Sequence, residues 1–172
     1  PYKGVIDEAR IWNRALSSNE ITRFYRTSLG TSSGKYEGLV LSITCQQNEA
    51  SGAVFTLFDW SGNSNFGIGR NVTDTSLSNS PSETIALNDC MELDGTGDYA
   101  AAADDLELSP TEQLTMSCWV YPRSTNNSVL IHKGSPTGAI NTNYRLGFLN
   151  RRLFAGINGN FAFTSNDTIP LN

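Results

Sequence analysis

The chain has 172 residues, room for one domain or one domain with a piece of another, and 38% apolar and 10% aromatic residues are enough for a buried core. Only 17% of residues are charged, the net charge is −5, and Lys and Arg never gather beyond Arg151-Arg152, which excludes an electrostatic grip on nucleic acid. No run of about 18 apolar residues occurs, so no helix is long and apolar enough to cross a membrane.

Val5–Trp12 alternates loosely and reads as a strand. Ser17 followed by Glu20 forms a capping box, with Leu16 and Ile21 spaced as a hydrophobic staple around it. Ile21, Phe24 and Tyr25 then give one apolar face, so a helix is predicted over 18–27. Residues 31–37 read as a linker. Beyond them come strands at Leu39–Cys45, Phe55–Phe58, Cys90–Leu93 and Tyr99–Ala103, with a loop over Asp59–Gly69 rich in Ser, Gly and Asn. Leu114, Met116, Cys118 and Val120 alternate against Thr115, Ser117, Trp119 and Tyr121, which predicts a strand with two distinct faces. The last third reads as a meander: Val129–Lys133, Tyr144–Leu149, Leu153–Ile157 and Phe161–Thr164. Asn158-Gly159 signals a type I′ hairpin, because that turn needs positive φ at both central residues. Short strands with Gly and Asn turns and one helix predict an all-β antiparallel two-sheet sandwich.

Cys45, Cys90 and Cys118 are three, so at least one has no internal partner, and their spacing is not that of a metal cluster. Sequons at Asn71, Asn126 and Asn166 lean toward an extracellular, secreted or cell-surface setting. The chain opens at Pro1 inside a structured stretch and reads as a window of something longer.

Several stretches resemble the laminin-G-like and pentraxin-like branch of concanavalin A-type jelly rolls. Gly4-Val-Ile-Asp7-Glu8-Ala-Arg10-Ile-Trp12-Asn-Arg14-Ala-Leu16-Ser-Ser-Asn-Glu20-Ile21 is similar to the closing strand and helix of such a module. Gly38-Leu-Val-Leu41 resembles an opening strand. Asp59-Trp-Ser-Gly62-Asn63-Ser-Asn65-Phe-Gly67, Met91-Glu-Leu93-Asp94-Gly95-Thr-Gly-Asp98-Tyr99 and Leu114–Pro122 are similar to segments that follow it. The closing motif comes first, and the family's later strands have no match. The resemblance therefore implies a window across two tandem repeats: residues 1–30 close one module, 31–37 link, and 38–172 are the first two-thirds of the next. It implies an incomplete sandwich, in which residues 1–16 or the missing strands pair with polypeptide outside the chain. It also implies that Cys118 has its partner beyond this window, leaving Cys45 and Cys90 to pair with each other.

Asp59, Asn63 and Asn65 in one loop, Asp94 and Asp98 in another, and Asp7 on the closing strand form an oxygen-rich set. Calcium takes roughly six to eight oxygens of this kind, and related modules suggest a structural Ca2+; the alternative is that these residues build Asx-turns. In pentraxins the loop matching Gly134–Asn143 holds half of a calcium-dependent ligand site, and here it offers Asn141 and Asn143 without a carboxylate. Trp119 and Tyr121 share a strand face and could stack on sugar rings, although such residues more often cover a sheet. His132 has no Cys or Ser partner at a motif spacing, and Glu-x-Asp-x-x-Glu, the glycosidase triplet of this fold, does not occur. Phosphate loops and zinc spacings are absent too, so the chain reads as no enzyme. Two functions follow: a non-catalytic interaction or structural module of an extracellular repeat protein, partnered by neighbouring modules or copies of itself in adhesion or assembly, or a calcium-dependent carbohydrate-binding module attached to a glycan-active enzyme.

Overall fold

The computed structural model of the chain describes residues 1–27, 36–51, 54–72, 77–78, 90–124, 126–134 and 142–163. In chain order the elements are β1 (Lys3–Trp12), α1 (Ser18–Arg26), β2 (Leu39–Ser51), β3 (Val54–Asp59), β4 (Gly67–Arg70), β5 (Leu77–Ser78), β6 (Cys90–Asp94) and β7 (Tyr99–Ala102). A 3₁₀ turn at Leu106–Leu108 precedes β8 (Thr115–Pro122), β9 (Ser128–Gly134), β10 (Thr142–Leu149), β11 (Arg152–Ile157) and β12 (Asn160–Phe163). They form two antiparallel sheets, one in the order β5-β6-β1-β2-β3-β4-β7 with β8 also on β1, the other β12-β11-β10-β9. The predicted all-β sandwich is what the chain adopts. β4 and β5 were not foreseen: β4 lies in the stretch read as a loop, because Gly67-Ile-Gly69-Arg70 carries glycine where a strand signal would be.

β1 organises the larger sheet. β8 runs along one whole edge of it, Gly4 to Trp12 against Pro122 to Thr115. The other edge is divided, with β6 pairing Lys3–Ile6 and β2 pairing Ala9–Trp12. At the division the register against β8 shifts between Asp7 and Arg10, and Glu8 takes a φ of 49°. Such a bulge bends and twists its strand, and here it lets β6 and β2 diverge from one edge. Residues 1–16 therefore pair inside the chain, and the stretches on either side of 31–37 share one sheet.

Alternation decides what is buried. Ile6, Leu57, Met91, Leu93 and Phe148 join Cys118 and Val120 in one inner cluster; Ile11, Val40, Leu108 and Tyr144 join Leu114 and Met116 in a second. The predicted inward face of β8 is thus the packed one. On the outside, α1 lays Phe24 on Trp12 with ring centroids 5.5 Å apart, and Tyr36 meets Phe24 edge-on at 5.6 Å. Ser17 and Glu20 form the capping box, and Arg14 clasps Glu20 while donating from Nε to the Glu37 carbonyl at 2.8 Å. Of the three residues predicted to form the helix's apolar face only Phe24 is buried; Ile21 and Tyr25 are 54% and 64% exposed. Phe24 seats the helix by burying its ring against Trp12, while Ile21 and Tyr25 stay mostly exposed.

Arg14 first, then Ser17, hold the Glu20 carboxyl down at about 2. A carboxylate with a depressed folded-state pKa stabilises above its unfolded value and loses that contribution as pH falls toward the folded one. The stability difference between wild type and Glu20→Gln is therefore expected to be present at neutral pH and to shrink as pH falls from about 4.5 toward 2, measured by denaturant titration. A pH-independent difference would contradict the assignment.

Asn158 and Gly159 both have positive φ, 47° and 83°, as the predicted hairpin requires. Gly147 on β10 has a tighter reason. A Cβ there would lie 2.3 Å from the Ser128 carbonyl oxygen and 3.0 Å from the Phe154 ring. Gly147→Ala should destabilise by about 1–3 kcal/mol, read as a lowered denaturant midpoint with unchanged slope; an unchanged midpoint would mean that β9 and β10 are not this close.

Candidate interaction surface

Asp59 ends β3 and holds the loop after it. Its Oδ1 accepts from the Ser42 and Ser61 backbone N–H groups, both at 2.9 Å, and its Oδ2 from the Ser61 hydroxyl at 2.7 Å and the Asn65 N–H at 2.8 Å. Asn63 donates to the Leu39 carbonyl at 3.0 Å and Asn65 to the Val40 carbonyl at 2.9 Å. A carboxylate offers about four lone-pair sites, and four donors take them. These three residues staple the loop to the start of β2.

Asp94 and Asp98 close the turn between β6 and β7: Asp98 Oδ2 accepts from the Asp94 N–H at 2.8 Å, and Asp94 Oδ1 from the Thr96 N–H at 2.5 Å. Asp94 pairs with Lys3, four residues and about 13 Å along β1 from Asp7. Asp59 lies across β2 from Ala9, two strand spacings and about 10 Å away. The six oxygen-bearing residues thus fall in three places. Among the described residues no group of three or more His, Cys, Asp or Glu side chains is placed to hold a metal ion.

Asp7 sits instead with Glu8 and Arg10 at the fork of β1, all three almost fully buried. Asp7 Oδ1 accepts from the Glu8 N–H at 2.7 Å, and the Arg10 guanidinium pairs with the Glu8 carboxylate. Burial pulls Arg10 below the ordinary arginine range, against which Glu8 and Asp7 act. The sequence reading singled out only Asp7 here; the positive φ and the bulge that gather the other two have no sequence signal of their own.

Trp119 stands on the outer face of β8, level with Asp7, and meets the Tyr25 ring of α1 at 5.1 Å. Tyr121, two residues on, is half-buried. Tyr25 was not among the candidates. Its position one residue after Phe24 on a short helix was the available hint. Asn141 lies outside the described residues, as does the side chain of Asn143. Among the sequons, Asn71 is exposed, with its amide donating to the Gly97 carbonyl at 2.9 Å, and Asn126 is exposed; Asn166 lies outside the described residues. Cys90 opens β6, buried, next to the Met91 that pairs with Ile6, and the Cys45 side chain lies outside the described residues. Burial pushes the Cys118 thiol up to about 12. His132 is exposed on β9, opposite Arg145.

The sequence reading located no opening by residue. Between the sheets lies a cavity of about 1300 Å³ whose walls include Ile6, Ile11, Leu57, Met91, Ile131 and Phe148. Close-packed domains hold few voids larger than a water molecule. At its rim, Phe161 and Phe163 of β12 are 47% and 46% exposed. β8 pairs only with β1 and β12 only with β11 among the described residues, and neither strand contains a charge. Searches against family models, curated proteins and solved structures find no match.

Proposed function

We propose that the chain is a non-catalytic interaction or structural module of an extracellular repeat protein, laminin-G-like in type, which serves adhesion or assembly by joining with polypeptide outside itself. The observation that carries this is the unfilled apolar space between the sheets. An open cleft of about 1300 Å³ lined by side chains such as Ile11 and Phe148 leaves apolar surface to water that a finished sandwich would bury. β12 and the part of β8 before Pro122, which carry neither charge nor proline, supply the means to finish it, since natural edge strands that stay alone are blunted by charge, proline or cover. In this reading residues 1–30 and 38–172 descend from successive modules, and the pairing of β1 with β2, β6 and β8 is the pairing that a closing strand makes with its module.

The test is the binding of a dye that fluoresces in apolar cavities. The isolated chain is expected to bind it saturably with its secondary structure intact, and the parent protein from its native source is expected not to. An isolated chain that leaves the dye dark would overturn the reading. A carbohydrate-binding module is the second reading, and Tyr25 against Trp119 is the observation that favours it. It requires Tyr25→Ala and Trp119→Ala each to abolish retention on an immobilised glycan.

A further inference from the structure

Charge in this chain is divided by sheet. Residues 113–166 contain Arg123, Lys133, Arg145, Arg151 and Arg152 and no Asp or Glu, so all 17 acidic residues and only the other seven basic ones lie elsewhere. The four-stranded sheet is built wholly from the basic stretch. Antiparallel pairing puts Arg145, Gly156 and Phe161 in one row across β10, β11 and β12, and Gly147, Phe154 and Phe163 in the next. Tyr144, Leu146 and Phe148 are on the other face of β10, and Phe154 in the second row is buried against Phe161 and Phe163, which reach the mouth of the cavity. A Cβ at Gly156 would come within 2.8 Å of the Phe161 ring, so the glycine lets that ring reach Arg145, whose guanidinium lies 4.4 Å from its centroid. Arg152 lies 5.5 Å from the Phe163 centroid. The result is a half-exposed aromatic patch with a guanidinium beside each ring.

Its complement is on the same molecule. Asp104, Asp105, Glu107 and Glu112 surround the 3₁₀ turn, and Leu106 in their midst is 90% exposed. Lys133 fixes this knob, donating to Asp104 at 2.5 Å and to the Asp105 carbonyl at 2.9 Å. Lys133 is on β9, the opposite edge of the sheet from β12, three strand spacings or about 14 Å away. A knob and a patch on opposite edges of one sheet do not meet within a molecule, but each can meet its counterpart on another.

We infer that copies of this module associate head to tail, the acidic knob around Leu106 of one seating on the Phe161–Phe163 patch of the next between Arg145 and Arg152. The partner is a second copy because the patch calls for an apolar side chain flanked by carboxylates, which is what the chain itself presents. Such a contact is heterologous and, where its rotation does not close a ring, extends without limit. The inference rests on the assembly reading above.

Sedimentation equilibrium of the chain over a range of concentration and salt tests it. Wild type is expected to form an open series of oligomers that shortens as salt screens the carboxylate–guanidinium attraction. Leu106→Arg, which spoils the knob, and Phe163→Glu, which spoils the patch, should each be monomeric with unchanged circular dichroism. Mixing the two should give one-to-one dimers that grow no further, since one intact knob and one intact patch remain. Arg145→Glu is the second patch variant should Phe163→Glu unfold. A monomeric wild type, or variants that assemble as wild type does, would overturn the inference. The dye experiment reads the assembly reading independently of either result.

Discussion

Arg10→Met is expected to cost about 3–5 kcal/mol of folding stability, as breaking a buried ion pair by removing one partner generally does. The guanidinium is 2% exposed and neighbours Glu8 at 1% and Asp7 at 3%, so its loss removes the positive charge that pairs with the Glu8 carboxylate and lies near Asp7 in the interior. The double variant Glu8→Met/Arg10→Met should recover part of the loss, because replacing both members by apolar groups removes the stranded charge along with the attraction. Denaturant unfolding of the two variants beside wild type decides it. Equal losses in the single and double variants would mean that the site acts through the positive φ of Glu8 and not through the pair.

Asp59→Asn should cost about 2–4 kcal/mol despite being isosteric. Replacing one carboxylate oxygen by an amide nitrogen turns an acceptor into a donor, so either the Ser61 hydroxyl and Asn65 N–H or the Ser42 and Ser61 N–H groups lose their acceptor. Hydrogen bonds to charged groups contribute about 1.5–3 kcal/mol each, and a buried donor left unmet costs a comparable amount. Thermal unfolding of Asp59→Asn and of Asn63→Ala, which removes only donors toward the Leu39 and Val40 carbonyls, should rank the two with Asp59 clearly the larger. The reverse order would contradict the assignment of Asp59 as the loop's anchor.

Much of the fold was legible because it is local. Ser17 and Glu20 are three residues apart, Asn158-Gly159 needs only its own φ angles, and the inward set of β8 follows from period-two alternation. What was not legible is set by long-range pairing. No local pattern says that Val5 pairs with Glu92 on one side and Tyr121 on the other, or that β1 forks at Glu8. The oxygen-rich residues were read as a set on their chemistry alone, and registry places them in three separate regions. Ile21 and Tyr25 share with Phe24 the spacing of a buried face, but of the three only Phe24 is buried. The acid-free run over 113–166 is different, since it stands in the sequence for anyone who counts. Its meaning appears only when β9–β12 prove to be a sheet of their own.

The central claim is that the sandwich of this chain is unfinished and that polypeptide outside it completes the sheets. Amide hydrogen exchange of β8 and β12, compared between the isolated chain and the parent protein from its native source, tests it most directly. Outward-facing edge amides within residues 115–121 and Asn160–Phe163 are expected to exchange fast in the isolated chain and to be protected in the parent, while β1 is protected in both. Equally fast exchange of both edges in the parent would contradict it.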